Sequence, residues 1–209
     1  MIAIIDYGAG NLRSVLSAFR RLNEPARITG EAAEIAAADG VILPGVGAFA
    51  DAMEALGKSG LIPVIRETAA SGVPFLGICL GMQALFDGSE EGAGVAGLGL
   101  IPGMVRRLPD CGLKIPHMGW NSLRPQKPSP LLDGLPEEPY VYFVHSYACE
   151  AQRPEDVLTT TEYGRPFHSA VQRGNVMGMQ FHPEKSGLTG QRLLRNFVEM
   201  TRAASGKEG

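Results

Sequence analysis

Over residues 1–80 short apolar runs alternate with segments of helical periodicity, and this pattern narrows the possible folds more than any other feature of the chain. Ile2 to Ile5, Leu12 to Leu22, Val41 to Leu43, a helical stretch reaching Ala70, and Val73 to Ile78 follow one another. Runs that short and that apolar fit strands covered on both faces, and strands separated by helices pair in parallel. Each run ends in a loop rich in glycine or proline: Tyr7-Gly8-Ala9-Gly10-Asn11, Pro44-Gly45-Val46-Gly47, and Gly77-Ile78-Cys79-Leu80-Gly81. Ligands bind at the carboxyl ends of the strands in an open α/β sheet, so three loops are expected to converge on one edge.

From about Met104 the pattern changes. Met104 to Leu108, Tyr140 to Val144, Val157 to Thr161, Ser169 to Gln172 and Val176 to Phe181 read as strands between turn-rich segments, a mostly antiparallel half. A last helix, roughly Thr189 to Arg202, carries Leu193, Leu194, Phe197 and Val198 at helical spacing and is expected to pack back on the sheet. The tail after Ala204 is expected to fray, and Pro125 to Pro139, with five prolines, reads as an exposed loop. The expected fold is α/β, an open mixed, largely parallel sheet flanked by helices with an antiparallel β extension. A length of 209 residues suits one domain over 1–209 and leaves no room for a second catalytic domain.

Composition removes several classes of function. With 19 basic against 22 acidic side chains and no dense Lys/Arg block, nothing tracks a phosphate backbone, and no nucleic acid is expected as partner. Met1 to Ile5 stops at Asp6 without the plan of a signal peptide, and no run reaches the ~18 apolar residues of a spanning helix. A cytoplasmic protein with no membrane partner is the expectation. Cys79, Cys111 and Cys149 are an odd number without a CxxC pair, against a disulfide framework or a zinc ribbon. His117, His145, His168 and His182 lack metal-ligand spacing, and Arg13 stands where a dinucleotide loop would carry its third glycine. No metal and no cofactor is expected.

The chemistry concentrates at two places. Gly77-Ile78-Cys79-Leu80-Gly81 follows an apolar strand and opens the helical run Leu80 to Phe86, the Gly-x-nucleophile-x-Gly form of a strand-to-helix elbow. A thiol there, near a histidine, favours the thiolate that attacks carbonyl carbon. A buried structural thiol is the competing reading of the residue type. Downstream, Val176 to Phe181 runs into His182-Pro183-Glu184, a base and an orienting acid two positions apart, which in extended geometry share a face. A plain turn histidine is the alternative, but it leaves the coincidence with the elbow cysteine without a reason. The amide of Leu80 is one candidate donor to an oxyanion, and Val46, flanked by glycines that let its peptide turn, is the other; an ordinary strand-to-helix turn explains that loop equally well.

These segments together resemble the triad-type glutamine amidotransferases: the Pro44-Gly45-Val46-Gly47 loop, the elbow continued through Met82 and Gln83, and Gln180-Phe181-His182-Pro183-Glu184-Lys185-Ser186, in the family's order. Asp6 to Asn11, Pro44 to Phe49, Pro116 to Asn121 and Tyr142 to Tyr147 are similar to the members that feed imidazole glycerol phosphate synthase. The resemblance implies a glutaminase with Cys79, His182 and Glu184 as its triad, and glutamine held by Gly47, Gln83, Glu91 and the segment His145, Ser146 and Tyr147. It also implies a partner, a (β/α)8-barrel cyclase that receives the ammonia, met through Asn11, Pro116, Trp120, Tyr142 and Lys185. For Gln83 an ordinary polar helix position, and for Lys185 solvated surface, remain open. A glutaminase serving another synthase, a catalytically silent scaffold and a free-standing γ-glutamyl hydrolase are the rival readings.

Overall fold

In the computed structural model, residues 1–206 are described. The parallel half consists of β1 (Ile2–Ile5), α1 (Leu12–Arg21), β2 (Ala26–Thr29), α2 (Ala32–Ala36), β3 (Gly40–Gly45), α3 (Phe49–Ser59), α4 (Ile62–Ala70), β4 (Phe75–Cys79) and α5 (Leu80–Ala84). There follow β5 (Gly88–Ser89), β6 (Gly103–Arg107), β7 (His117–Ser122), β8 (Arg124–Pro125), β9 (Tyr140–His145), β10 (Tyr147–Ala151), β11 (Val157–Tyr163), β12 (Arg165–Arg173), β13 (Val176–Met179) and the closing α6 (Gly187–Ala204). Within the proline-rich stretch, Pro130–Leu132 form a short 3-10 turn with Leu131 fully buried, so the expected exposed loop is anchored at its centre. The expected fraying beyond Ala204 falls partly on 207–209, outside the described residues.

The main sheet has the order β2-β1-β3-β4-β13-β12-β10-β6-β5. From β2 to β13 every pairing is parallel, and beyond β13 the strands turn antiparallel up to β6. The segment assigned from sequence to the antiparallel half, Val176 to Phe181, thus belongs to both. Its strand β13 lies parallel to β4 and antiparallel to β12. The strand is buried along its whole length, as a strand with neighbours on both edges and layers on both faces must be. Strand β11 lies along one edge of β12, while β13 and β10 share the other edge in succession. A separate two-stranded antiparallel sheet, β7 with β9, stands beside it.

Period-two alternation divides the core. Ala3 and Ile5 of β1, with Val41 and Leu43 of β3, join a cluster containing Ile35, Phe49, Leu56, Ile65 and Met82, so α2 to α5 cover that face. Ile2, Ile4, Ile42, Leu76 and Ile78 point the other way, onto Val15 and Phe19 of α1 and onto Leu193, Leu194, Phe197 and Val198 of α6. Each of those fully buried α6 side chains contributes roughly 1.5–3 kcal/mol of burial. Among the described residues no helix is long and apolar enough to cross a membrane.

Register fixes where the loops meet. Gly45 at the end of β3 lies opposite Cys79 at the end of β4, and Met179 at the end of β13 lies opposite Ile78. The loop after β3, the elbow after β4 and the segment leading to His182 therefore leave the sheet side by side.

Candidate active site

Cys79 carries φ 54° and ψ −113°, in the left-handed region that non-glycine residues seldom occupy. Such a residue costs on the order of 1–3 kcal/mol and persists where its surroundings over-determine it. They do so here through glycine. A Cβ on Gly81 would lie 1.8 Å from the Leu43 carbonyl oxygen, and one on Gly77 would lie 2.7 Å from the Gly81 carbonyl oxygen. Only without those side chains can α5 press against β3 and β4, and that contact drives the sharp reversal that turns the thiol out of the sheet.

His182 lies beyond β13, with its amide bonded to the Tyr142 carbonyl at 2.9 Å and its carbonyl accepting from the Ser186 hydroxyl at 2.6 Å. Its Nδ1 meets Glu184 Oε1 at 2.9 Å, and its ring lines the same cavity as Cys79. Sequence reasoning expected this pairing from extended geometry. Instead Pro183–Lys185 form a 3-10 turn, helped by proline at the first position, and the carboxylate folds back onto the ring through that turn. Both side chains are buried, at 4% and 1% exposure. Burial works to lower the imidazole's affinity for its proton; the hydrogen bonds and charges of Cys79 and Glu184 overcome it and push His182 up to about 9. Glu184 Oε2 is buried without a hydrogen-bond partner among the described residues, so the carboxylate has little but the imidazole to offset its charge.

A cavity of about 300 Å³ opens over Cys79 and His182. Val46 and Gly47 line it from the loop after β3, Leu80 and Gln83 from α5, with Glu91, Pro116 and the segment His145, Ser146 and Tyr147 closing the remaining sides. Every residue that the sequence reading placed in the oxyanion or substrate set thus borders one pocket. Two of them also serve the fold. The Gln83 amide nitrogen donates to the Tyr147 carbonyl and to Gln180 Oε1, both at 3.1 Å, which leaves its own carbonyl oxygen free of those bonds. Glu91 accepts from the Phe49 amide at 2.8 Å, capping α3, whose preceding residue Ala48 offers no side-chain cap.

Of the expected partner residues, Pro116 lines the pocket and the others lie outside it. Trp120 is 56% exposed and sits edge-on to Tyr142 with ring centroids 6.2 Å apart. The Lys185 ammonium lies 6.0 Å from the Tyr142 ring. Asn11 precedes α1, a helix that packs against the turn carrying Lys185.

The sequence reading missed three groups. Gln180 stands beside the thiol, its amide nitrogen 3.9 Å from Cys79 Sγ. Tyr7 donates its hydroxyl to the Pro44 carbonyl at 3.0 Å beneath the glycine loop, and burial, then the charge of Cys79, push it up to about 12. His117, buried on β7, bonds to His145. The first is marked in sequence only by its place before Phe181 and His182; Tyr7 and His117 lie within segments similar to the family, but nothing local gives either a role. All three cysteines are free thiols. Among the described residues no three His, Cys, Asp or Glu side chains gather as metal ligands.

The class-I glutamine amidotransferase family profile matches residues 3–200. The imidazole glycerol phosphate synthase subunit HisH of Moorella thermoacetica is 57% identical over 203 residues, covering 97% of this chain and 96% of that protein. Its counterpart in Desulfitobacterium hafniense is 55% identical over 197 residues, covering 94% of this chain and 93% of that protein. A crystal structure of a glutamine amidotransferase superposes with a TM-score of 0.75 at 20% identity, covering 96% of this chain and 99% of its own, a likeness of fold. The strand-to-helix elbow, the buried His182–Glu184 pair and the sheet that aligns them therefore belong to a member of the class-I glutamine amidotransferases, in the family of the HisH subunits of imidazole glycerol phosphate synthase.

Proposed function

We propose that this chain, as a single glutaminase domain over residues 1–209, hydrolyses glutamine to glutamate and ammonia and passes the ammonia to a cyclase subunit in histidine biosynthesis. The observation that carries the reading is that Cys79 and His182 line one pocket of about 300 Å³, with His182 bonded to the buried Glu184. His182 holds the proton, and the Cys79 thiolate attacks the side-chain amide carbon of glutamine. The amides of Val46 and Leu80 stabilise the oxyanion. As the tetrahedral species collapses, the C–N bond breaks, the His182 proton goes to the leaving nitrogen, and ammonia departs from a γ-glutamyl thioester on Cys79. Water, deprotonated by His182, then attacks the thioester carbonyl; the C–S bond breaks, glutamate leaves with its new carboxyl proton passing to solvent, and thiolate and imidazolium are restored.

In the pocket, Gly47, Gln83, Glu91, His145, Ser146 and Tyr147 receive the amino-acid end of the substrate. The carboxylate of Glu91 faces the ammonium while remaining held by Phe49, and backbone amides meet the carboxylate. The partner is a (β/α)8-barrel cyclase. It docks on Asn11, Pro116, Trp120, Tyr142 and Lys185, makes imidazole glycerol phosphate and an aminoimidazole carboxamide ribotide, and works with this chain in the cytoplasm. The exposed Trp120, edge-on to the half-buried Tyr142 beside Lys185, supports that face, since aromatic residues anchor protein interfaces.

The test is glutamate release by the chain alone, then with the cyclase subunit and its nucleotide ligand. Stimulation only in the assembled mixture is expected, and equal turnover with and without the partner would move the protein to another synthase or to a free-standing hydrolase. Cys79→Ala is expected to abolish glutamine-dependent synthesis, by at least about 10³-fold, and to leave synthesis from added ammonium salt intact. Loss of both in an assembled complex would refute the division of labour.

A further inference from the structure

Two buried histidines, His145 in the pocket wall and His117 behind it, are joined by a contact that the reaction steps above do not use. His117 of β7 and His145 at the end of β9 lie directly opposite each other in the two-stranded sheet. His117 Nδ1 and His145 Nε2 are 3.0 Å apart, His145 Nδ1 is 2.8 Å from the Tyr147 carbonyl oxygen, and Asn121 Nδ2 approaches His117 Nε2 at 3.4 Å. The ends of this chain fix the direction of every proton in it. A carbonyl oxygen can only accept, so His145 Nδ1 bears hydrogen and its Nε2 is a bare acceptor. At the other end the Asn121 amide is oriented by independent bonds. Its Oδ1 accepts from the Ser122 amide at 2.9 Å, and its Nδ2 donates to the Glu162 carbonyl at 2.8 Å, which leaves a second amide hydrogen for His117 Nε2. His117 must then donate from Nδ1.

Only one protonation state satisfies these contacts. A second proton on either ring would set two N–H groups against each other, and burial indeed holds His145 down at about 3 and His117 at about 4. The His117 ring is further held by stacking on Phe143 and on Tyr163, with centroids 4.9 and 3.9 Å away.

What this chain holds is a corner. His145 ends a strand of the small sheet, Tyr147 begins a strand of the main sheet, and Ser146, the one residue between them, lines the pocket. The bond from His145 Nδ1 to the Tyr147 carbonyl closes the corner across Ser146, and Gln83 braces the same oxygen from α5. In the opposite tautomer, the Nδ1 lone pair would face that oxygen, two acceptors in contact. We infer that His117 and His145 are positioning residues, a tautomer-locked pair that holds the Ser146 corner in the shape that receives glutamine. The inference rests on the glutaminase reading of the pocket and adds to it the residues that set the fit of its wall.

The experiment uses the chain in complex with its cyclase subunit. His117→Phe keeps an aromatic ring against Phe143 and Tyr163 and deletes the donor; His117→Asn returns an amide N–H near the position of Nδ1. Glutamine KM and kcat are measured for each, and nitrogen-15 spectra of labelled histidine report which ring nitrogen of His145 carries hydrogen. The wild type and His117→Asn are expected to hold His145 in the Nδ1–H form. His117→Phe is expected to mix the tautomers and raise KM about tenfold with kcat within about threefold, and His117→Asn to recover most of the KM. An unchanged KM in His117→Phe overturns the inference, as does an equal KM rise in both variants with the tautomer unaltered. Should His117→Phe fail to fold, the wild type alone decides, because an Nε2–H or doubly protonated His145 at neutral pH contradicts the lock. The spectra also keep the two readings apart: a wild-type complex without glutamine turnover sinks the glutaminase, while the tautomer still answers for the pair.

Discussion

Glu184 touches nothing reactive, yet it sets the working range of the residue that does. Its carboxylate is buried, one oxygen bonded to His182 and the other without a partner, so its charge acts on the imidazole with little screening. Below about 9 the ring keeps its proton, and as pH rises through that value the proton needed by the leaving nitrogen is lost. An alkaline limb near pH 9 is therefore expected in kcat/KM for glutamine. Glu184→Gln keeps a hydrogen-bond acceptor and removes the charge, so the limb should move to lower pH, and a pH–rate profile that does not move would detach Glu184 from His182. Gly81 governs the other half of the pair. Gly81→Ala drives a methyl group into the Leu43 carbonyl and should destabilise the fold by more than about 3 kcal/mol, measured by urea unfolding.

At the scale of elements, the chain declared its buried parallel strands and hid its polar ones. β1, β3 and β4 are unbroken apolar runs, and α6 shows Leu193, Leu194, Phe197 and Val198 on one stripe, all buried on the sheet as expected. Phe197→Ala should cost about 3–5 kcal/mol of stability, as a cavity beneath that helix would, and a loss below about 1 kcal/mol would mean that α6 is not part of the core. The edge strand β2 escaped notice because only Thr29 of its four residues is buried. β7 escaped for the reverse reason: its inward side chains include His117 and Asn121, while Met118 and Trp120 point out, so hydropathy reads the strand inside out. Cys79, His182 and Glu184 were legible because each stands in a local pattern. Gln180 and Tyr7 were not, since what places them beside the thiol and the glycine loop is register between strands far apart in sequence. The turn that brings Glu184 back to His182 was read as extended because spacing alone does not distinguish the two shapes.

For the whole molecule, one side of the site is sheet edge and elbow, and the other is the small β7–β9 sheet, which carries Trp120 and Tyr142 of the docking residues proposed above. Trp120, more than half exposed on that sheet, is the single tryptophan of the chain. Light absorbed at the red edge of the protein spectrum therefore excites one known position. Covering the indole should shift its emission to shorter wavelength, so the chain carries an intrinsic optical gauge of its own assembly, readable without a label. Titration with a tryptophan-free form of the cyclase subunit should trace a saturable blue shift, and Trp120→Phe should leave the mixture dark while the two proteins still bind.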